Sequence, residues 1–425
     1  MTNTETTAHY FEMLETIGSD AKSASKLLAQ AEPEVVNATL RSIASGIRSR
    51  VDEIITANQA DMDAAKASGM SSAILDRLFL DQARLNALAD SVEAIVEIES
   101  PIGKTLWQNE RPNGLNILRV ACPIGVLGMI YESRPNVTVD AAALCLKSHN
   151  AVVLRCGSDC FNSSLMLSKV IQDALVSNGL PAACVTVIPT KSRDAVTAML
   201  SMDKYIDIII PRGGYRLIEK VANEAKMPVL SHLDGICHTY IDSDCDTKMA
   251  LDIVLNAKLR RTGICGAMET LLFDKSCDNT LVQTILSALI ENGCELVGDE
   301  DLVKLNPSLG AATVADWTTE YLDKKLSCKF VDGVHGAIDH INKFGSGHTD
   351  CIVTNDADVA TCFLNQVDSS IVMHNTSSQF ADGGEFGMGA EIGISTGKIH
   401  ARGPVGVDQL CTYKYHVIGS GQVRP

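Results

Sequence analysis

Apolar side chains recur at helical spacing through roughly the first 98 residues, which are rich in Ala, Ser, Leu and Glu. Ile43 and Ile47 lie one turn apart, and Leu85, Leu88, Val92 and Ile95 make a single stripe, so the stretch predicts helices. Pro101, Gly103, Pro112 and Gly114 then punctuate a loop-rich segment. From Val137 the period changes. A helix over 139–147 with Thr138 as its cap precedes a strand at 151–154 and a helix over 162–176 that Asn178-Gly179 ends. A strand at 185–188, a helix over 193–200, a strand at 205–210 and a helix from Tyr215 follow. A second alternating set comprises a strand at 238–241, helices over 247–259 and 279–291, and a strand at 269–273 between them. It continues with helices over 334–343 and 357–365 and strands at 351–354 and 370–373. Such alternation predicts parallel, doubly wound sheets, because parallel neighbours need a crossover that a helix supplies. The fold class is therefore α/β, with two such units and no internal repeat.

At 425 residues the chain exceeds the roughly 250–300 at which a single core stops growing. An apolar content of 46% with 21% charged residues describes a globular protein. The net charge of −16 repels phosphodiester backbones and anionic lipid, and no Lys/Arg block offsets it, so neither nucleic acid nor a membrane is an expected partner. Met-Thr-Asn-Thr-Glu-Thr-Thr-Ala lacks the basic and apolar regions of a signal peptide. The longest apolar run, 120–131, is broken by Pro123, Gly125 and Gly128 and is too short to span a bilayer. A cytoplasmic protein is expected. Its fourteen cysteines then read mostly as buried, reduced thiols. There is no Cys-x-x-Cys pair, and the spacing of Cys156 and Cys160 suits neither a zinc knuckle nor a thioredoxin-type site, so no metal is expected.

One cysteine is set apart. Leu259-Arg-Arg-Thr-Gly-Ile-Cys265-Gly places a thiol after two arginines and between two glycines, just before a strand-like apolar run. Positive charge lowers a thiol pKa of about 8.5, and glycines allow close approach to the sulfur. Cys265 is the candidate nucleophile. Ile208-Ile-Ile-Pro-Arg212-Gly213-Gly214-Tyr215 runs from a buried strand into a helix, which suits either a phosphate cradle or a tight turn. Its spacing is not the dinucleotide fingerprint, and Gly393–Lys398 is too short for a Walker loop. A dense glycine loop, 380–389, carries Glu385, which either meets ribose hydroxyls or is a solvated turn residue.

Several stretches together resemble the γ-glutamyl phosphate reductases, a branch of the aldehyde dehydrogenase superfamily. They are Tyr131-Glu-Ser-Arg134-Pro-Asn136, Ile209-Ile-Pro-Arg-Gly-Gly214, Gly345-Ser-Gly-His348-Thr-Asp, Asp382-Gly-Gly-Glu-Phe-Gly and His400-Ala-Arg-Gly-Pro404. The resemblance covers nearly all of the chain from about residue 100 and shows no kinase segment ahead of it. It implies an aldehyde dehydrogenase-like fold: two Rossmann-like α/β domains plus a small β oligomerisation element. On that plan residues 1–107, 122–237 and 376–398 bind nucleotide, 238–375 carry the nucleophile, and 108–121 with 399–425 mediate assembly. The β-prone segments 115–121 and 412–418 are the assembly pieces.

The implied reaction converts L-glutamyl 5-phosphate and NADPH into glutamate 5-semialdehyde, NADP and phosphate through a Cys265 thioester, the second step of proline biosynthesis. By position, Asn136 and the Cys265 amide form the oxyanion hole. Arg155 and Ser158 meet the adenosine ribose and its 2′-phosphate, Arg212, Gly213 and Gly214 the pyrophosphate, and Glu385 the nicotinamide ribose. Arg134 and His348 fall on the substrate side, although His348 taken alone reads as a structural histidine. Lys258, Arg260 and Arg261 are further local cations, expected at the surface. A homo-oligomer is implied, as is association with glutamate 5-kinase. The chain departs from the family at Thr262, Gly266 and Gln379, where Pro, Asn and Arg are usual, and His149 and Cys156 replace glycines. Two rivals stand beside this reading. A hydrolytic aldehyde dehydrogenase needs a Glu where the chain reads His232-Leu-Asp-Gly235, leaving His232 as its base. A non-catalytic paralogue would not need Cys265 and Asn136.

Overall fold

A computed structural model of the protein describes residues 3–231 and 233–424, with side chains from Tyr10 onward. His232, the base of the hydrolytic rival, lies outside the described residues. Packing divides the chain into two compact units, Met1–Ser231 with Met388–Gly393 and Val405–Pro425, and His232–Gly387 with Ile394–Pro404.

The first unit is built on four parallel strands in the order Val185–Val187, Ala151–Cys156, Val126–Tyr131, Ile208–Arg212. Strand Val126–Tyr131 was hidden in the segment read as loop, because Gly125 and Gly128 break its apolar run. Gly128 answers a packing demand: a Cβ there would stand 2.9 Å from Met199 Cε. The N-terminal helices form as the periodicity predicts. Pro33–Ser49 starts with proline at its first position and buries Val36, Leu40, Ile43, Ala44 and Ile47 along one face. Helix Val137–Lys147 begins at Asn136, not Thr138; the Thr138 hydroxyl instead meets the buried Tyr131 hydroxyl at 2.6 Å. Helix Phe161–Ser177 has no cap of its own at Cys160. Asp61, 101 and 102 residues away, caps it by accepting from Asn162 N at 3.2 Å and Ser163 N at 2.8 Å.

A separate antiparallel sheet joins Thr105–Glu110, Asn116–Pro123 and Cys411–Ile418, so the two β-prone segments pair directly. It leaves Trp107, Tyr415, Val417 and Ile418 exposed.

The second unit carries seven parallel strands: Gly310–Ala311, Glu295–Gly298, Lys325–Val331, Met268–Asp274, Cys237–Ile241, Thr349–Val353 and Ile371–His374, in that spatial order. Lys325–Val331 and Glu295–Gly298 were not anticipated. The first reads Lys-Leu-Ser-Cys-Lys-Phe-Val, whose polar residues break any apolar run, yet Ser327 is satisfied in the interior by Thr270 Oγ1 at 2.8 Å and Glu269 O at 3.1 Å. Segment 376–387, grouped on sequence with the nucleotide-binding part, packs in this second unit, as does 394–404. Ala381 and Ile394 share a buried cluster with Cys351, Ile371 and Met373, which draws both segments there.

His340 is a buried histidine of this unit that resists protonation. It is 4% exposed, its ring lies against Trp317 (5.5 Å), Phe344 (4.8 Å) and His238 (5.6 Å), and neither ring nitrogen has a hydrogen-bond partner. Burial first, then His238, Lys329 and Lys343, push its pKa down to about 3. The unfolded chain therefore takes up this proton near its ordinary value while the folded protein refuses it. Stability falls as pH drops below about 6.5, by at most about 1.4 kcal/mol per pH unit for this group, and the loss levels off near pH 3. Denaturant melts from pH 7 to 4 should show a flatter decline for His340→Phe than for the wild type. Parallel declines would remove His340 from this account.

Candidate active site

Cys265 sits in a turn between helix Thr247–Leu259 and strand Met268–Asp274, and it is half-buried. None of the fourteen cysteines forms a disulfide, but most are poor nucleophiles. Burial pushes Cys184, Cys277 and Cys411 to about 12 and Cys245 and Cys294 to about 11; Cys237, Cys328 and Cys351 are raised as well. Cys156 is held below its ordinary value by the hydrogen bond with Cys160, but at 1% exposure it is closed to a substrate.

The Cys265 turn is fixed from several directions within the second unit. A Cβ at Gly235 would stand 2.6 Å from Cys265 Cα, so the two backbones are in direct contact and only glycine fits. Gly235 is held in turn by Glu320, whose carboxylate accepts from its amide at 2.9 Å and whose pKa burial raises. The Cys237 thiol donates to Cys265 O at 3.1 Å and lies 3.6 Å from His348 Nδ1. His348 is fully buried and also meets Thr349 Oγ1 at 2.9 Å. It therefore supports the Cys265 turn from within the second unit. Gly235, Cys237 and Glu320 escaped the sequence reading, since nothing in their local pattern tells that they meet a turn about 30 to 55 residues distant in the chain.

Of the local cations, Arg260 and Arg261 are exposed as expected. Lys258 is not. Its ammonium is fully buried against Glu269 Oε2 at 2.7 Å. Gln379 is 6% exposed and donates to Ala257 O and Arg261 O. Glu385 lies in the exposed loop after the turn Ser378–Phe380, with the backbone around it shaped by Asp382 Oδ1, which accepts from Gly384 N at 2.8 Å and Glu385 N at 3.4 Å. Its carboxylate makes no hydrogen bond among the described residues, and Phe380 and Phe386 beside it are exposed.

The other predicted residues gather at the carboxyl ends of the parallel strands of the first unit, where ligands of such sheets bind. After Val126–Tyr131 the chain turns through Ser133, whose φ of 51° is unusual for a serine and is held by Asp159, which accepts from its hydroxyl and amide. Arg134 and Asn136 follow. Asn136 adopts helical backbone angles and does not cap its helix; its amide donates to Asp140 Oδ2 at 2.9 Å. Burial lifts Asp140 to about 6, against the pull of Asn136 and Arg212. The amide is thus oriented with a second N–H left to give.

After Ile208–Arg212, Gly213 and Gly214 are exposed and open helix Tyr215–Glu224. Glu132 Oε2 accepts from Gly214 N at 3.1 Å, so a carboxylate already occupies this helix N-terminus. Arg212 lies along Gly393, where a Cβ would be 3.1 Å from its Nη1. Ser158 is exposed in the loop after Ala151–Cys156. Arg155 is 6% exposed and spends its guanidinium on the carbonyls of Cys156, Lys191 and Ser192, so it braces this loop and does not turn outward. Lys191 and Arg193 beside it are the exposed cations.

Among the described residues no cluster of His, Cys, Asp and Glu is arranged for a metal ion, and no helix is long and apolar enough to cross a membrane. The aldehyde dehydrogenase family model matches residues 6–307. The chain is 51% identical to γ-glutamyl phosphate reductase of Paramagnetospirillum magneticum over 425 residues, all of both chains. With the enzyme of that name from Parvibaculum lavamentivorans identity is 52% over 414 residues, 97% of this chain and 98% of the relative. The crystal structure of γ-glutamyl phosphate reductase from Thermotoga maritima superposes with a TM-score of 0.95 at 38% identity, covering 97% of this chain and all of that one. The chain belongs to the aldehyde dehydrogenase family, in its γ-glutamyl phosphate reductase branch.

Proposed function

We propose that the protein reduces L-glutamyl 5-phosphate to L-glutamate 5-semialdehyde with NADPH, releasing phosphate, with Cys265 as the nucleophile. The observation that carries the reading is the setting of Cys265: a half-buried thiol on a turn clasped by Gly235, in a chain 51% identical to a reductase of that name. The Cys265 thiolate attacks the acyl carbon, the C–O bond to phosphate breaks, and a thioester remains on the sulfur. The cofactor supplies the hydride that takes this acyl group to the aldehyde level. Re-forming the carbonyl then breaks the C–S bond and returns the thiolate. Both tetrahedral stages place negative charge on one oxygen, which the Cys265 amide is suited to receive, and the family resemblance assigns a second such donor to Asn136; one such donor is worth roughly 10²–10³ in rate. Arg134 provides a cation for the substrate.

The residues of the first unit fit a dinucleotide. Two glycines without side chains open a helix N-terminus, and Glu132 on the Gly214 amide marks a place that attracts an anion. Ser158 leaves room for a 2′-phosphate, and Lys191 or Arg193 serves as its cation in place of Arg155, which favours NADPH over NADH. In the second unit, Glu385 is exposed on the glycine loop, and its carboxylate suits ribose hydroxyls. The exposed apolar face around Trp107, Tyr415 and Val417 suits assembly into a homo-oligomer in the cytoplasm, and a glutamate 5-kinase that delivers the labile acyl phosphate is a natural neighbour.

The reverse reaction tests this. Purified protein should oxidise pyrroline-5-carboxylate with NADP only when phosphate is present, because phosphate is the group that releases the thioester. Equal turnover without phosphate would replace this reading by hydrolysis, and no turnover in either mixture would leave only a non-catalytic role.

A further inference from the structure

Gly266 and Gln379 meet in one small patch of the second unit. The Gln379 amide nitrogen donates to Ala257 O at 2.9 Å and to Arg261 O at 3.1 Å. Ala257 lies in the last turn of helix Thr247–Leu259, where carbonyls lack intrahelical partners, and Arg261 lies four residues before Cys265. The Gln379 amide oxygen accepts from Arg260 Nη1 at 3.4 Å. On the other side of the nucleophile, a Cβ at Gly266 would stand 3.1 Å from Ser378 O and 3.7 Å from Ala381 Cβ. Ala381 belongs to the buried cluster against which Cys265 packs. Residues 378–381 therefore bracket the Cys265 turn from before and after.

We infer that Gln379 is a positioning residue for Cys265: its amide ties the chain leading into the turn, while the backbone of its own turn presses on Gly266 behind the nucleophile. The inference rests on Cys265 being the nucleophile. Arginine at 379 would set a guanidinium against Arg260, donor facing donor, and a side chain at 266 would push the Ser378 carbonyl away. Glutamine supplies both the donors that two carbonyls need and the acceptor that Arg260 needs. A remote group that sets the aim of a reacting atom acts on rate more than on substrate binding, and misplacement by about 1 Å costs up to about 10²-fold.

Three single variants of the full chain test this. Gln379→Met keeps length and volume and removes both donors and the acceptor. Gln379→Glu keeps only the acceptor for Arg260. Gly266→Ala acts from the opposite side. Two readouts are needed: kcat per titratable Cys265, and the pH profile of iodoacetamide alkylation of the Cys265 peptide, followed by mass spectrometry on folded protein. All three variants should lose about 10-fold in kcat per titrated thiol, with KM for NADPH within about twofold, and should show an altered alkylation profile. A purely structural role would lower the fraction of titratable thiol and the Tm but leave kcat per thiol and the alkylation profile at wild-type values, and that result would overturn the inference. Should the wild type show no turnover at all, the proposed function fails, while a changed alkylation profile in the variants would still support the positioning role.

Discussion

Cys265→Ala is expected to remove phosphate-dependent turnover altogether, with a loss of at least about 10⁴-fold, while leaving cofactor binding in place. The size follows from the chemistry. Without the sulfur no thioester forms, and hydride would have to reach an acyl phosphate that nothing holds in covalent register. No neighbouring thiol can substitute, because Cys237, 3.1 Å from the Cys265 carbonyl, is fully buried and raised well above its ordinary value. Cys156→Ser is the control. Its sulfur is closed to solvent and paired with Cys160, so near wild-type turnover is expected from it. The measurement is NADP reduction with pyrroline-5-carboxylate and phosphate, alongside NADPH titration of both variants. Wild-type rates from Cys265→Ala would end the thioester mechanism.

Lys258→Met should be strongly destabilising. The Lys258 ammonium and the Glu269 carboxylate lie 2.7 Å apart with neither side chain exposed, and Glu269 Oε1 also accepts from Leu322 N at 3.3 Å. Burial outweighs the attraction of Lys258 and lifts Glu269 to about 7. Removing one partner of a buried pair strands the other charge, a loss of about 3–5 kcal/mol. The sign with pH can be worked out. A carboxyl whose folded value is raised holds its proton longer in the folded protein than in the unfolded chain, so it contributes a loss of stability as pH rises from its ordinary value to the raised one. Without Lys258 the folded value rises further, and the window extends upward. Urea melts should therefore show a smaller deficit for Lys258→Met near about pH 5, where Glu269 is protonated, than near about pH 8, the difference being up to about 1.4 kcal/mol for the one pH unit above Glu269's folded value. Lys258→Met/Glu269→Gln should recover most of it. A single variant as stable as wild type at the higher pH, or a double variant no better than the single, would sink this account.

Much of the site was legible because its signals are local. Two arginines and two glycines mark Cys265 within eight residues, and the Arg-Gly-Gly turn after a buried strand marks the first unit's glycine loop. Helix 247–259 and helix 279–291 were placed to the residue, since each shows one apolar face and an aspartate cap, Asp246 and Asp278, accepting from the first turn. The errors share one physical origin. Lys258 sits two residues before Arg260-Arg261 and reads as part of a solvated run; only Glu269, on the strand beyond the turn, gives it a reason to be buried. Arg155 ends a strand, and its donors meet three backbone carbonyls 1 to 37 residues away, contacts that no local pattern shows. Strand Lys325–Val331 lacks an apolar pattern and is specified by the neighbours it lies between.

The sequence by itself determined the α/β alternation, the turn that presents Cys265 and the motifs of the reductase family, because periodicity, turn residues and motif spacing are properties of a few consecutive residues. The tertiary structure decided which distant groups complete that turn: Gly235 against Cys265, Glu320 on Gly235, the Cys237 thiol on the Cys265 carbonyl and Gln379 on Ala257 and Arg261. These contacts depend on the order of strands in the sheet and on the satisfaction of buried polar groups. Neither is written in any local stretch of chain, since a donor in one segment meets its acceptor only after the core has brought the two together.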